Sequence, residues 1–281
     1  MHKGLAKLAK PYLYWLYILA LLPAILMLVL IFVDCEGIDF TNFHFTLENF
    51  RQFKESSTLI AFRNSFILAI STTVFSAILG YVVAYKLVKS KINNKFLILT
   101  ILILPMWANI LLRTDALANV MRPNNIITDL FAKININVSL DVVETKFVLL
   151  VKVLIGLVFT YMPFMILPIY TALEKIDFSL EEAALDLGLT DFQKFWKVIF
   201  PLSLKGIVTG SIMVLLPSLS GFAIPEIIGN GNVLMIGNVI ERMFRNLNYN
   251  IGSLLAIILL VIITIGIVIV NKFDKDGETL I

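Results

Sequence analysis

Of 281 residues, 59% are hydrophobic and only 15% charged, far below the ~25% of an average soluble domain, which excludes an ordinary water-soluble globule and predicts a membrane protein. A net charge of +3, with its basic residues gathered beside apolar segments, gives no footprint for nucleic acid. The single cysteine, Cys35, cannot pair within the chain and has no metal-ligand company.

Six runs, 11–33, 64–85, 96–112, 153–173, 206–225 and 251–271, lack Asp, Glu, Lys and Arg. A hydrocarbon core of ~30 Å takes ~20 helical residues, and none of these runs alternates as a barrel strand would. The sequence therefore predicts an all-α integral membrane domain over 1–281, with spans at 11–33, 64–85, 96–114, 153–173, 206–226 and 251–271. The first run follows Lys3, Lys7 and Lys10, the layout of a secretory signal. It is longer than a signal core and precedes no small-residue cleavage site, so it is expected to be retained.

Orientation follows from Lys and Arg beside the spans. Lys3, Lys7 and Lys10, and then Lys86, Lys89, Lys91 and Lys95, mark the inner side, while the loop 34–62 is acidic and belongs outside. Both termini are expected in the cytoplasm, although Arg113, Arg122, Lys133, Lys146 and Lys152 in the next outer loop run against the bias. Within that loop, 126–141 is expected to cover the mouth or meet an extracytoplasmic protein. Pro163, Pro168 and Pro217 remove backbone donors inside spans four and five and would kink them or be absorbed by packing. Glycines 80, 156, 206, 210 and 221 fit close helix approach.

After span four the apolar pattern breaks over 176–203 into a polar segment, placed inside the cell by the spans before it. Ser179 with Glu182 reads as a capping box opening a helix over 180–187, with Gly188 closing it. Thr190 with Gln193 repeats the device for a second short helix, which Pro201 limits. Leu180, Ala183, Ala184 and Leu187 form one narrow face, with Glu181 and Asp186 solvated. Helices this short are marginal alone. They need either the membrane surface or a protein to rest on, and a net-acidic helix gains nothing from the anionic inner leaflet.

Glu182-Ala183-Ala184, Gly188 four residues on, and Ile199-Phe200-Pro201-Leu202 together resemble the EAA loop of binding-protein-dependent ABC importer permeases. That resemblance implies the type I (MetI-like) architecture of six helices, with a cytoplasmic coupling hairpin. It implies as partners a cytoplasmic ATPase dimer, met by Leu180, Glu182, Ala183, Ala184, Leu187 and Gly188. It also implies a second, related but different permease chain, an extracytoplasmic binding protein and membrane lipid. The chain has no G-x-x-x-x-G-K-[ST] loop, so ATP falls to the partner, and neither a cofactor nor enzyme activity is expected here.

Arg63-Asn64-Ser65, Leu104-Pro105-Met106-Trp107, Arg113-Thr114, Tyr161-Met162-Pro163-Phe164-Met165-Ile166-Leu167-Pro168-Ile169-Tyr170 and Gly221-Phe222-Ala223-Ile224-Pro225-Glu226 resemble, more narrowly, the B-type permease subunit of spermidine/putrescine importers. Asp115 and Gly229-Asn230 depart from that pattern. The implied function is polyamine import by alternating access. A polycation with methylene links suits carboxylates, here Asp115 and Glu226, and ring faces, here Trp107, Tyr161 and Phe222. Both carboxylates could instead be solvated or paired with Arg113. Another small solute, such as an inorganic anion or metal chelate, would fit the same architecture. A secondary transporter would need carboxylates or histidines inside the spans, and the six runs have none.

Overall fold

The computed structural model describes residues 2–34, 44–52, 55–122 and 145–273; Cys35, the segment 126–141 and the C-terminal tail lie outside them. Five helices are long and apolar enough to cross a membrane, and a sharply bent helix pair makes a sixth. The chain divides into two compact units, Met1–Leu59 with Val239–Thr264, and Ile60–Asn238 with Ile265–Ile281.

In the first unit, α1 (His2–Ile31) runs through Pro11 and Pro23 without a break. From Pro11 on, its described exposed side chains, among them Leu19, Leu22 and Ile25, are predominantly apolar, as a helix surrounded by lipid requires. A two-residue ladder follows, β1 (Val33–Asp34) antiparallel to β2 (His44–Phe45). The side-chain amide of Asn49, opening the short α2 (Asn49–Gln52), donates to the Ile31 carbonyl at 2.8 Å and closes the end of α1.

The second unit is built on α3 (Ser56–Lys89, from Ile60 on), α6 (Lys146–Glu174) and α9 (Phe200–Ser220). Leu157, Met165, Ile166, Ile169 and Val214 are fully buried between them. Helices in lipid gain little from excluding water and associate where small residues let backbones meet. Gly206 and Gly210 supply that closeness: a Cβ at Gly206 would stand 2.6 Å from both the Ala172 Cβ and the Pro168 carbonyl, and one at Gly210 2.6 Å from the Met165 sulfur. α6 passes through Pro163 and Pro168, and α9 through Pro217, without interruption.

Span three is not the single helix expected over 96–114. α4 (Lys95–Ile103) leads into a 3-10 turn at Leu104–Trp107, and α5 (Ile110–Val120) leaves at 97°. Pro105 opens the turn, the Asn109 side chain caps α5 by accepting from the Leu111 N–H at 2.8 Å, and Arg113 donates to the Pro105 carbonyl at 2.9 Å. The Leu111 N–H and the Pro105 carbonyl, both at the break, thus find partners within the chain, which apolar surroundings favour.

Span five also differs from the expected 206–226. α9 ends at Ser220, Gly221 is extended, and a short α10 (Ala223–Ile228) turns away. After α10 the described residues form α11 (Ile236–Arg245), which no charge-free run announced, and α12 (Tyr249–Phe273).

Candidate functional site

The polar segment after span four forms two capped helices. α7 (Phe178–Asp186) starts two residues earlier than expected, because the Asp177 carboxylate accepts the Ser179 N–H at 2.9 Å. A charged acceptor at the N-cap takes the place of the expected Ser179–Glu182 box. The donated hydrogen bond holds Asp177 below the usual carboxylate range.

At the other end Gly188 has φ +79°, its N–H donates to the Leu185 carbonyl at 2.8 Å, and the Leu189 N–H reaches Ala184 at 3.1 Å. This is a Schellman closure. The Thr190–Gln193 box forms, with reciprocal bonds of 3.3 and 3.1 Å, and opens α8 (Asp191–Lys194). Pro201 does not end that helix. A π turn at Phe195–Ile199, in which the Phe200 N–H reaches the Phe195 carbonyl, joins α8 to α9. The widened turn makes room for a proline ring and its missing donor.

The faces of α7 are not those the apolar pattern indicated. Ala184 is buried, but beside it lies Glu181, expected in solvent and only 7% exposed. Glu181 accepts from Lys89 at the end of α3, and the same Oε2 is 3.9 Å from Lys194 Nζ, which bonds Asp191 at 2.9 Å. Leu180, Glu182, Ala183, Leu187 and Gly188 face outward, Leu187 being 83% exposed. Behind them Phe195 is held by Tyr85 (5.4 Å) and Trp196 (5.3 Å), Trp196 lies 4.9 Å from Phe200, and Tyr81 bonds Ser203 at 2.9 Å. Ionic and aromatic contacts therefore tie α7 and α8 to α3 and α9.

Of the five residues assigned to a path, Phe222 and Glu226 are linked through Asn238, and Tyr161 bonds the α9 turn that leads to Phe222. Tyr161, buried on α6, donates to the Pro217 carbonyl at 3.3 Å, and a Cβ at Gly221 would sit 3.2 Å from its hydroxyl. The Asn238 amide donates at 2.9 Å to the carbonyl of the exposed Phe222 and at 3.0 Å to Glu226. The other two stand apart. Asp115 is exposed on α5 and accepts from Asn119 at 3.3 Å, and Trp107 is 88% exposed on the 3-10 turn. Among the described residues, no hydrogen bond or ring contact joins either to Tyr161, Phe222 or Glu226. Arg113, expected as a partner for either carboxylate, serves Pro105 instead.

Two quoted motifs gain a physical account. Asn64 donates to the Leu234 carbonyl at 3.0 Å and the Ser65 hydroxyl accepts from the Ile236 N–H at 2.8 Å, so Arg63-Asn64-Ser65 fastens α3 to the segment entering α11. Asn230 takes φ +49° and Gly231 +70°. Asparagine tolerates this left-handed conformation better than most residues, so the Gly229-Asn230 departure leaves the turn intact.

A family model described as "Binding-protein-dependent transport system inner membrane component" matches residues 5–276. The spermidine/putrescine transport system permease protein PotB of Haemophilus influenzae is 33% identical over 265 residues, covering 93% of this chain and 91% of that one. PotB of Escherichia coli is 31% identical over 236 residues, covering 83% and 84%. In three dimensions the chain is similar to a subunit of a bacterial ABC transporter involved in the import of the acidic polysaccharide alginate. The TM-score is 0.77 at 16% identity, with 98% of this chain and 96% of that one covered, which bears on fold alone. A family match over nearly the whole chain, on an ABC importer permease fold, makes this a multi-pass membrane transport subunit rather than an enzyme: the chain belongs to the binding-protein-dependent transport system inner membrane component family.

Proposed function

We propose that this chain is one of two permease subunits of an ATP-driven importer of spermidine and putrescine, moving its cargo inward by alternating access. The observation that carries the cargo assignment is the 33% identity to PotB across 93% of the chain. A cytoplasmic ATPase dimer binds ATP and drives the cycle through α7. The outward face of Leu180, Glu182, Ala183, Leu187 and Gly188 serves as its contact, and buried Ala184 as the seat. A related but different permease closes the other half of the path, an extracytoplasmic binding protein delivers the polyamine, and both termini lie in the cytoplasm. The chain itself carries no cofactor. Closure of the ATPase displaces α7, and the packed helices carry the displacement to the path, favouring one of two discrete arrangements.

The test is transport. The chain is co-purified with its ATPase, second permease and binding protein, reconstituted in liposomes, and given labelled spermidine, putrescine or sulfate. ATP-dependent accumulation of the polyamines alone is expected. Accumulation of sulfate instead, or of polyamine on an ion gradient without ATP, would overturn the reading.

Within the path, Tyr161, Phe222 and Glu226 form the polyamine contact, with Asp115 and Trp107 on its approach. Glu226→Gln keeps the Asn238 partner and the shape but removes the charge. A hydrogen bond to a charged group contributes about 1.5 kcal/mol, so half-saturation for spermidine should rise about tenfold, with an unchanged melting temperature. Asp115→Asn, at an exposed site where charge pairing contributes about 1 kcal/mol at most, should shift it less. Equal saturation curves for Glu226→Gln and wild type would remove Glu226 from the path.

A further inference from the structure

We infer that Glu181 is a positioning residue that pins α7 to two spans at once, through Lys89 on α3 and Lys194 at the base of α9, so that a movement of α7 is delivered to both. This rests on the proposed coupling of α7 to an ATPase.

Among the described side chains of α7, only those of Glu181 and Ala184 are buried. Over the described side chains, 179–186, the seat is therefore one methyl group and one carboxylate. Leu180 and Leu187, which could have provided an apolar seat, face outward. The carboxylate is placed to do what the methyl cannot. Its side chain is 10% exposed, that of Lys194 12% and that of Lys89 33%. Surface pairs at high exposure hold little, whereas removing one member of a desolvated set leaves the remaining charges unbalanced and disfavours the arrangement strongly.

The two ammoniums come from different elements. Lys89 is the last residue of α3 and Lys194 the last of α8, which runs through the π turn into α9. The second ammonium is itself steadied by Asp191 at 2.9 Å, and the apolar floor beneath is the Tyr85–Phe195 contact at 5.4 Å. That floor joins α3 to the base of α9 without α7. Glu181 adds α7 to a joint that already exists, which is the geometry of a lever fixed at its pivot.

A merely structural role and a positioning role differ in one ratio. With the full complex in liposomes, ATP hydrolysed and spermidine imported are measured together for wild type, Glu181→Gln, Glu181→Asp and Lys89→Gln. For Glu181→Gln the complex should still assemble, and ATP hydrolysed per molecule imported should rise at least about fivefold, the lower end of ordinary coupling between sites. Glu181→Asp, which keeps the charge, should recover part of the loss. Hydrolysis and import falling in proportion, or neither changing, would overturn the inference. If Glu181→Gln fails to assemble, Lys89→Gln carries the same test, because Glu181 then keeps Lys194. A wild-type complex that recruits no ATPase would instead sink the transport reading, and the inference with it.

Discussion

Gly206→Leu is expected to abolish a stably folded chain. A Cβ at this position would stand 2.6 Å from the Ala172 Cβ, 2.6 Å from the Pro168 carbonyl oxygen and 3.0 Å from the Ile169 Cα. Two of those three atoms are backbone of α6, which cannot swing aside as a side-chain tip can. To admit leucine, α6 and α9 must separate along their contact, which is the most extensive between helices among the described residues and borders the buried Met165, Ile169 and Val214. Overpacking of this kind lies at the upper end of its range, about 3 kcal/mol or more. Gly206→Ala should show the same sign at reduced size, since the added Cβ alone is already too close. Gly266→Ala is the control, because nothing lies within 4 Å of its added Cβ. Thermal unfolding of the purified chain in detergent checks the series. Gly206→Leu should melt far below wild type or aggregate on extraction, and Gly266→Ala should not fall below it. A Gly206→Leu protein that melts with wild type would mean that the two helices are not in backbone contact there.

The membrane helices were legible because their cause is local and strong: ~20 uncharged residues must cover ~30 Å of hydrocarbon. The Thr190–Gln193 box and the Gly188 closure were legible for the same reason, since every partner lies within five residues. The α7 start was local too, yet Asp177 and Ser179 both offer an oxygen to the first turn, and the pattern does not rank them. The bend in span three shows a further limit. Pro105 marks a weak point in the helix, but the bend also rests on Arg113, eight residues on, which adds a side-chain donor to the Pro105 carbonyl already met by the Ala108 N–H. Burial of Glu181 depends on Lys89, 92 residues away in sequence, so an apolar-face rule assigned the carboxylate to solvent. Asn238, which joins Phe222 to Glu226, has no pattern of its own, and α11 carries charges that a search for uncharged runs passes over.

Substitution of Gly188 should break function while leaving the embedded helices intact. The residue has φ +79° and nothing in this chain lies within 4 Å of its added Cβ, so within the chain the effect of substitution is conformational, and the asparagine variant separates it from any crowding of the ATPase contact. An L-residue other than asparagine or aspartate holds this conformation at about 1–2 kcal/mol above its preferred state, and a β-branched one at more. Gly188→Asn should therefore stay near wild type, Gly188→Ala should fall below it, and Gly188→Val should fall furthest. For valine the closing bonds from Gly188 to Leu185 and from Leu189 to Ala184 open. Leu187 then loses its place at the end of α7, and the turn into the Thr190 cap loses its direction. If the competent conformation becomes about tenfold rarer, for about 1.4 kcal/mol, polyamine uptake and co-purified ATPase fall by a comparable factor. The melting temperature should not move, because no contact of α3, α6 or α9 involves this residue's side chain. That separates Gly188 from Gly206, where stability fails first and transport only as a consequence. Valine and asparagine variants with equal uptake would show that the left-handed turn is not what holds the coupling helix in register.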